Sequence, residues 1–190
     1  MKKPSIFKAL KYSFLTSAFL LTNVSSALAI DVIIPWTTSG AVGTPDKPTM
    51  VKYNYAGPEV EMADDATGQV RLFYQVHDAD SLVSILALDG WKMTARYLDN
   101  GPDARITIRL REMDLDTGEF TNIFKIDSDD YAADELYQTQ NKDFELGCFS
   151  SYSFDFSNHA YYVVVKLEKT GLAGQAGIAG MKIEPTNCLL

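Results

Sequence analysis

The run Arg105-Ile106-Thr107-Ile108-Arg109-Leu110-Arg111 decides the fold class. Ile106, Ile108 and Leu110 alternate with Arg105, Thr107, Arg109 and Arg111. A period of two with one apolar set marks a strand with one buried face and one wet face. The same pattern recurs outward from it. Val70, Leu72, Tyr74 and Val76 alternate with Arg71, Phe73, Gln75 and His77. Trp91, Met93, Ala95 and Tyr97 alternate with Lys92, Thr94 and Arg96. Tyr161, Val163, Val165 and Leu167 form the strongest run. Val51-Tyr55, Phe120-Ile126, Tyr152-Phe156 and Ala179-Ile183 supply further strands.

Turn chemistry separates these runs. Asp114 to Glu119 joins the central run to Phe120-Ile126, with Gly118 free to take a positive φ. Asn100-Gly101 is the strongest short hairpin signal. Gly171, Gly174, Gly177 and Gly180 predict a turn and then a strand approached closely by other backbone. Only Asp78–Leu88 and Asp129–Tyr137 suit helices. Eight or so strands at turn-separated intervals predict an all-β antiparallel β-sandwich, jelly-roll-like in preference to immunoglobulin-like. Most of the ten Tyr, ten Phe and two Trp are then expected in its core.

The N-terminus has a different character. Lys2, Lys3, Lys8 and Lys11 precede a short apolar run, Tyr12 to Leu21, and then Ala27-Leu28-Ala29. A basic start, an apolar centre and a small-residue exit predict a secretory signal peptide over 1–29. A single sandwich domain then spans 30–190. Cleavage removes four lysines and no acids, so the formal net charge moves from -8 to -12. The expected location is secreted or periplasmic, with no membrane insertion after cleavage. Such acidity excludes a partner built of nucleic acid phosphates and disfavours anionic polysaccharides unless calcium bridges them.

Two cysteines are too few for a disulfide scaffold or a zinc module. In an oxidising compartment Cys148 and Cys188 are expected to pair, which closes a long loop and contributes about 4 kcal/mol in the chain-entropy model. His77 and His159 stand at strand ends without a metal-ligand neighbour, and no Gly-x-Ser-x-Gly elbow occurs. No catalytic residue is therefore assigned, and a binding protein is favoured over an enzyme. Acidic clusters occur at Asp114-Asp116-Glu119 and at Asp127-Asp129-Asp130, extended by Asp134 and Glu135. No cofactor is implied, with calcium the one candidate: Asp127, Asp129 and Asp130 have its ligand chemistry. Solvated loop acids are the plainer expectation.

For binding, Phe73 and Tyr162 sit opposite the apolar sets of their strands, and Arg105 and Arg109 share a wet face. Aromatic faces beside planar guanidinium donors suit sugars. Each residue also has an internal use, in a second packed layer or in cross-strand ion pairs. The resulting expectation is an extracytoplasmic binding module for carbohydrate or another surface component. Two alternatives remain. One is a structural subunit that donates Ile30, Val32, Ile33 and Ile34 as a strand to a neighbouring sheet. The other is a glycan hydrolase or lyase. The sequence leaves oligomeric state open.

Overall fold

A computed structural model describes residues 35–46, 52–77, 90–144 and 152–186. The signal-peptide segment, both cysteines, the Ile30–Ile34 run and the helix expected over Asp78–Leu88 lie outside the described residues.

Eleven strands are present among the described residues. They are β1 (Trp36–Ser39), β2 (Thr44–Pro45), β3 (Tyr53–Ala56), β4 (Glu59–Met62), β5 (Gly68–Val76) and β6 (Gly90–Asp99), then β7 (Ala104–Asp114), β8 (Phe120–Asp127), β9 (Asp134–Asp143), β10 (His159–Lys169) and β11 (Ala176–Thr186). They form two antiparallel sheets. One runs β3-β4-β11-β6-β9, with β1 also laid against β11; the other runs β2-β5-β10-β7-β8. From β4 onward the chain passes from sheet to sheet at every step except the β7–β8 hairpin. That order is a jelly roll, as the strand spacing predicts.

The alternating apolar sets meet between the sheets. Leu72, Ile108, Leu110, Val163, Val165 and Leu167 from one sheet face Met93, Ala95, Tyr97, Ile178 and Ile183 from the other, all essentially inaccessible to water. Burying each large side chain contributes roughly 1.5–3 kcal/mol. Glycine permits the closest approaches. A Cβ on Gly174 would strike the Asp103 carbonyl, and one on Gly180 would stand 2.9 Å from the Thr38 carbonyl oxygen.

Three sequence expectations are corrected. Asn100-Gly101 does not close a hairpin, because β6 and β7 belong to different sheets. It makes a crossover instead. The Asn100 side chain donates to the Ala173 carbonyl (3.0 Å) and accepts from the Gln175 N–H (2.6 Å), so it ties this crossover to the one between β10 and β11. The helix expected over Asp129–Tyr137 is a single 3-10 turn, Ser128–Asp130, followed by β9. As an edge strand, β9 is largely wet on both faces, with Leu136 74% exposed, so it has no apolar alternation to betray it. The alternation of Tyr152, Phe154 and Phe156 belongs to a loop rather than a strand. Its rings plug one end of the sandwich: Phe154 packs edge-on against Trp91 (5.1 Å) and Tyr161 (4.9 Å). The segment ends in a turn where the Asp155 side chain accepts the N–H groups of Ser157 and Asn158.

Candidate functional site

The outward set of the β2-β5-β10-β7-β8 sheet forms a continuous, unusually cationic face. Register fixes its rows. Arg71 of β5 lies opposite Lys166 of β10, which lies opposite Thr107 of β7. In the next row Phe73, Val164, Arg109 and Lys125 succeed one another across four strands. Beyond it come Gln75, Tyr162, Arg111 and Asn122.

A cleft of about 330 Å³ runs over these rows, lined by Arg71, Phe73, Thr107, Arg109, Arg111, Asn122, Val164 and Lys166. Four of the eight lining residues are cationic and none is acidic. Aromatic rings stand at one end. Phe73 and Tyr162 lie 6.1 Å apart, and Phe120, half-exposed, meets Tyr162 edge-on at 6.1 Å. The Arg111 guanidinium sits over Phe120 at 4.9 Å and near the Tyr162 ring at 5.7 Å, within cation–π range. Its Nε is buried without a hydrogen-bond partner among the described residues.

Carboxylates gather at the rim. Asp127 is buried, not a solvated loop acid. It accepts from Arg105 Nε (2.9 Å) and Nη2 (2.6 Å) and pairs with Lys125 Nζ at 2.5 Å. The Arg105 guanidinium, and Lys125 after it, hold this carboxyl well below the usual carboxylate range. Asp127 in turn raises the pKa of Arg105. Arg105 also reaches Asp129 at 3.0 Å. Lys166 is paired with Glu168 at 2.6 Å.

The structure thus brings Phe73 and Arg109 into one cleft, with Tyr162 beside Phe73 at its end. Arg105 shares the face but is engaged by two acids. Asp127 and Asp129 converge on that guanidinium, while Asp130 stands exposed in the 3-10 turn. Among the described residues, no three His, Cys, Asp or Glu side chains cluster as a metal site. Asp114 caps its own turn by accepting the N–H groups of Asp116 and Thr117, which lowers its pKa. His77 is exposed. His159 lies half-buried among Glu112 (3.6 Å), Asp155 (3.8 Å) and Asp114 (3.9 Å). Arg96, outward by the same alternation as Arg71 and Arg109, belongs to the other sheet, 5.8 Å from the Tyr137 ring. Arg111, Lys166 and Asn122 also line the cleft, and Phe120 stands at its end against Tyr162 and Arg111. Alternation marks the first two as outward, but only strand order places them beside Phe73.

No protein-family model matches the chain, and no curated protein matches it. Solved structures of similar shape do exist. A family two carbohydrate esterase from Cellvibrio japonicus aligns over 80% of this chain at 13% identity and a TM-score of 0.41; the chain spans only 34% of that protein. The C-terminal family 6 carbohydrate-binding module of a Zobellia galactanivorans laminarinase aligns over 80% of this chain and 99% of its own, at 9% identity and a TM-score of 0.45. A family 15 xylan-binding module aligns over 79% of this chain and 95% of its own, at 14% identity and a TM-score of 0.45. What this chain's own face binds must follow from its residues.

Proposed function

We propose that the chain is an exported, non-catalytic glycan-binding module whose ligand lies across the outer face of the β2-β5-β10-β7-β8 sheet. The observation that carries this reading is the placing of aromatic rings beside guanidinium donors that have no carboxylate partner among the described residues. Phe73, with Tyr162 beside it, offers apolar surface to a sugar face, while Arg109 and Asn122 offer hydrogen bonds to its hydroxyls. A paired strand frame holds both sets, so little side-chain and backbone order has to be created on binding.

A glycan array tests the reading, run with calcium and then with chelator. Binding is expected in both, because Asp127 and Asp129 are already held by Arg105. A folded protein that binds no glycan under either condition would turn the assignment toward a structural or protein-binding role. Turnover of a bound glycan, abolished by changing one Asp or Glu, would make it an enzyme. Export itself is tested by intact mass: the secreted chain is expected to begin at Ile30.

A further inference from the structure

We infer that the glycan is acidic: a polysaccharide bearing carboxylate or sulfate groups, bound through Arg71, Arg109 and Arg111. This inference rests on the glycan-binding reading and names the chemistry of its ligand. It reverses what net charge alone suggests. A chain at -8 overall, and -12 without its first 29 residues, should repel polyanions. At physiological ionic strength, however, exposed charges are felt over only about 8 Å. What an incoming chain meets in the cleft is local: every charged lining side chain is positive, and the nearest carboxylates, Glu168 and Asp127, are engaged by Lys166 and by Arg105 and Lys125.

The cations are arranged against the interest of the free fold. Arg71 lies directly opposite Lys166, and Arg109 directly opposite Lys125. Like charges facing each other across strands are destabilising. The two lysines are relieved by rim acids, Glu168 and Asp127. Arg71, Arg109 and Arg111 have no carboxylate partner among the described residues. The groups left unneutralised are therefore the three guanidiniums. Their planar forks bind carboxylate or sulfate through two parallel hydrogen bonds, which an ammonium does not do. Arg111 is further held in place by Phe120 and Tyr162, with its buried Nε still lacking an acceptor.

Spacing favours a polymer over a small anion. Arg109 and Arg111 are two residues apart on β7, roughly 7 Å, and β5 lies two strand spacings from β7, roughly 10 Å. One small anion would satisfy one of these positions. A chain with charges repeated along it addresses several, and each linked contact raises the effective concentration for the next. The aromatic rings at the end of the cleft then take the uncharged faces of the same chain.

The test measures binding of the purified secreted protein to polygalacturonate and its methyl ester, to dextran sulfate and dextran, and to single-stranded DNA. At least one acidic polymer is expected to bind tenfold or more tighter than its neutral counterpart, with affinity falling as salt is raised. The carboxylated and sulfated arms distinguish which group is recognised. Arg109→Gln and Arg71→Gln should each weaken that binding about tenfold, while Arg96→Gln, on the opposite sheet, should leave it unchanged. Equal binding of acidic and neutral forms would overturn this inference and leave the glycan-binding reading intact. Binding to DNA as tight as to the acidic glycans would overturn the assignment to a polysaccharide. A cooperatively melting protein that binds none of these polymers would overturn this inference, and the glycan array then decides the broader reading.

Discussion

Arg105 grips both carboxylate oxygens of Asp127, Nε to Oδ1 at 2.9 Å and Nη2 to Oδ2 at 2.6 Å, at the base of the β7–β8 hairpin. The acid is almost fully buried while the guanidinium is partly wet, with 3% and 42% of their side chains exposed. Charge-assisted bonds of this fork geometry are stronger than neutral ones. Asp127→Asn keeps the shape and loses the charge, so it is expected to cost about 2 kcal/mol. Urea denaturation at neutral pH checks this; a loss under 0.5 kcal/mol would mean that the pair is energetically idle.

The same pair sets an acid dependence. The folded-state pKa of Asp127 is depressed, first by Arg105 and then by Lys125. Its contribution is therefore fully present above the ordinary Asp value near 3.9 and is lost as pH falls toward the depressed value. The stability gap between wild type and Asp127→Asn should stay constant from pH 8 to 5 and narrow below about pH 4. Urea midpoints of both proteins across that range decide it. A gap that widens on acidification would contradict the sign.

Tyr97 offers the opposite case. Its ring is fully buried, and its hydroxyl has no hydrogen-bond partner among the described residues. Burial pushes its pKa up, aided by Tyr131 and the nearby Asp99, Asp127 and Asp130. An unsatisfied buried hydroxyl carries a desolvation cost without a return. Tyr97→Phe is expected to be neutral or to stabilise by up to about 1 kcal/mol. A clear fall in melting temperature would show that the hydroxyl has a partner in solution.

The aromatic end of the cleft gives a binding prediction. Truncating Tyr162 removes a ring that touches Phe73, Phe120 and Arg111 together. Tyr162→Ala should reduce glycan affinity about tenfold or more, equivalent to roughly 1.4 kcal/mol. Phe73→Ala should act in the same direction, since its ring lines the cleft. Titration calorimetry reads both. Unchanged affinity in the two variants would remove the rings from the ligand's path.

Much of this architecture is legible residue by residue. Ile106-Ile108-Leu110 and Val163-Val165-Leu167 declare their inward faces because both strands lie mid-sheet with one side sealed. The same alternation makes Phe73, Tyr162 and Arg109 outward. It does not say which outward residues are neighbours. That depends on β10 lying between β5 and β7, a long-range order carried by side-chain packing rather than by local pattern. Arg96 and Arg71 look equivalent in sequence yet belong to opposite sheets. Edge strand β9 was illegible for another reason: wet on both sides, it has no need of alternation. Phe154 misleads in turn, because a core-plugging loop uses the same apolar residues as a strand.

Arg109 separates binding from stability at a single position. Arg109 lies directly opposite Lys125 and has no acid partner among the described residues. Cross-strand pairs of this kind contribute roughly 0.2–1 kcal/mol, unfavourably when the charges are alike. Neutralising one member relieves that repulsion in the unbound protein. Arg109→Gln is therefore expected to raise unfolding stability by a few tenths of a kcal/mol at low salt, with the gain shrinking as salt screens the pair. Saturating acidic glycan should reverse the order, because ligand stabilises the folded state in proportion to its affinity and the variant binds less tightly. Thermal melts of both proteins, with and without ligand and at two salt concentrations, measure the crossing. A variant less stable than wild type in the absence of ligand would show that Arg109 serves the fold, and the case for a face held ready for an anion would lose one of its supports.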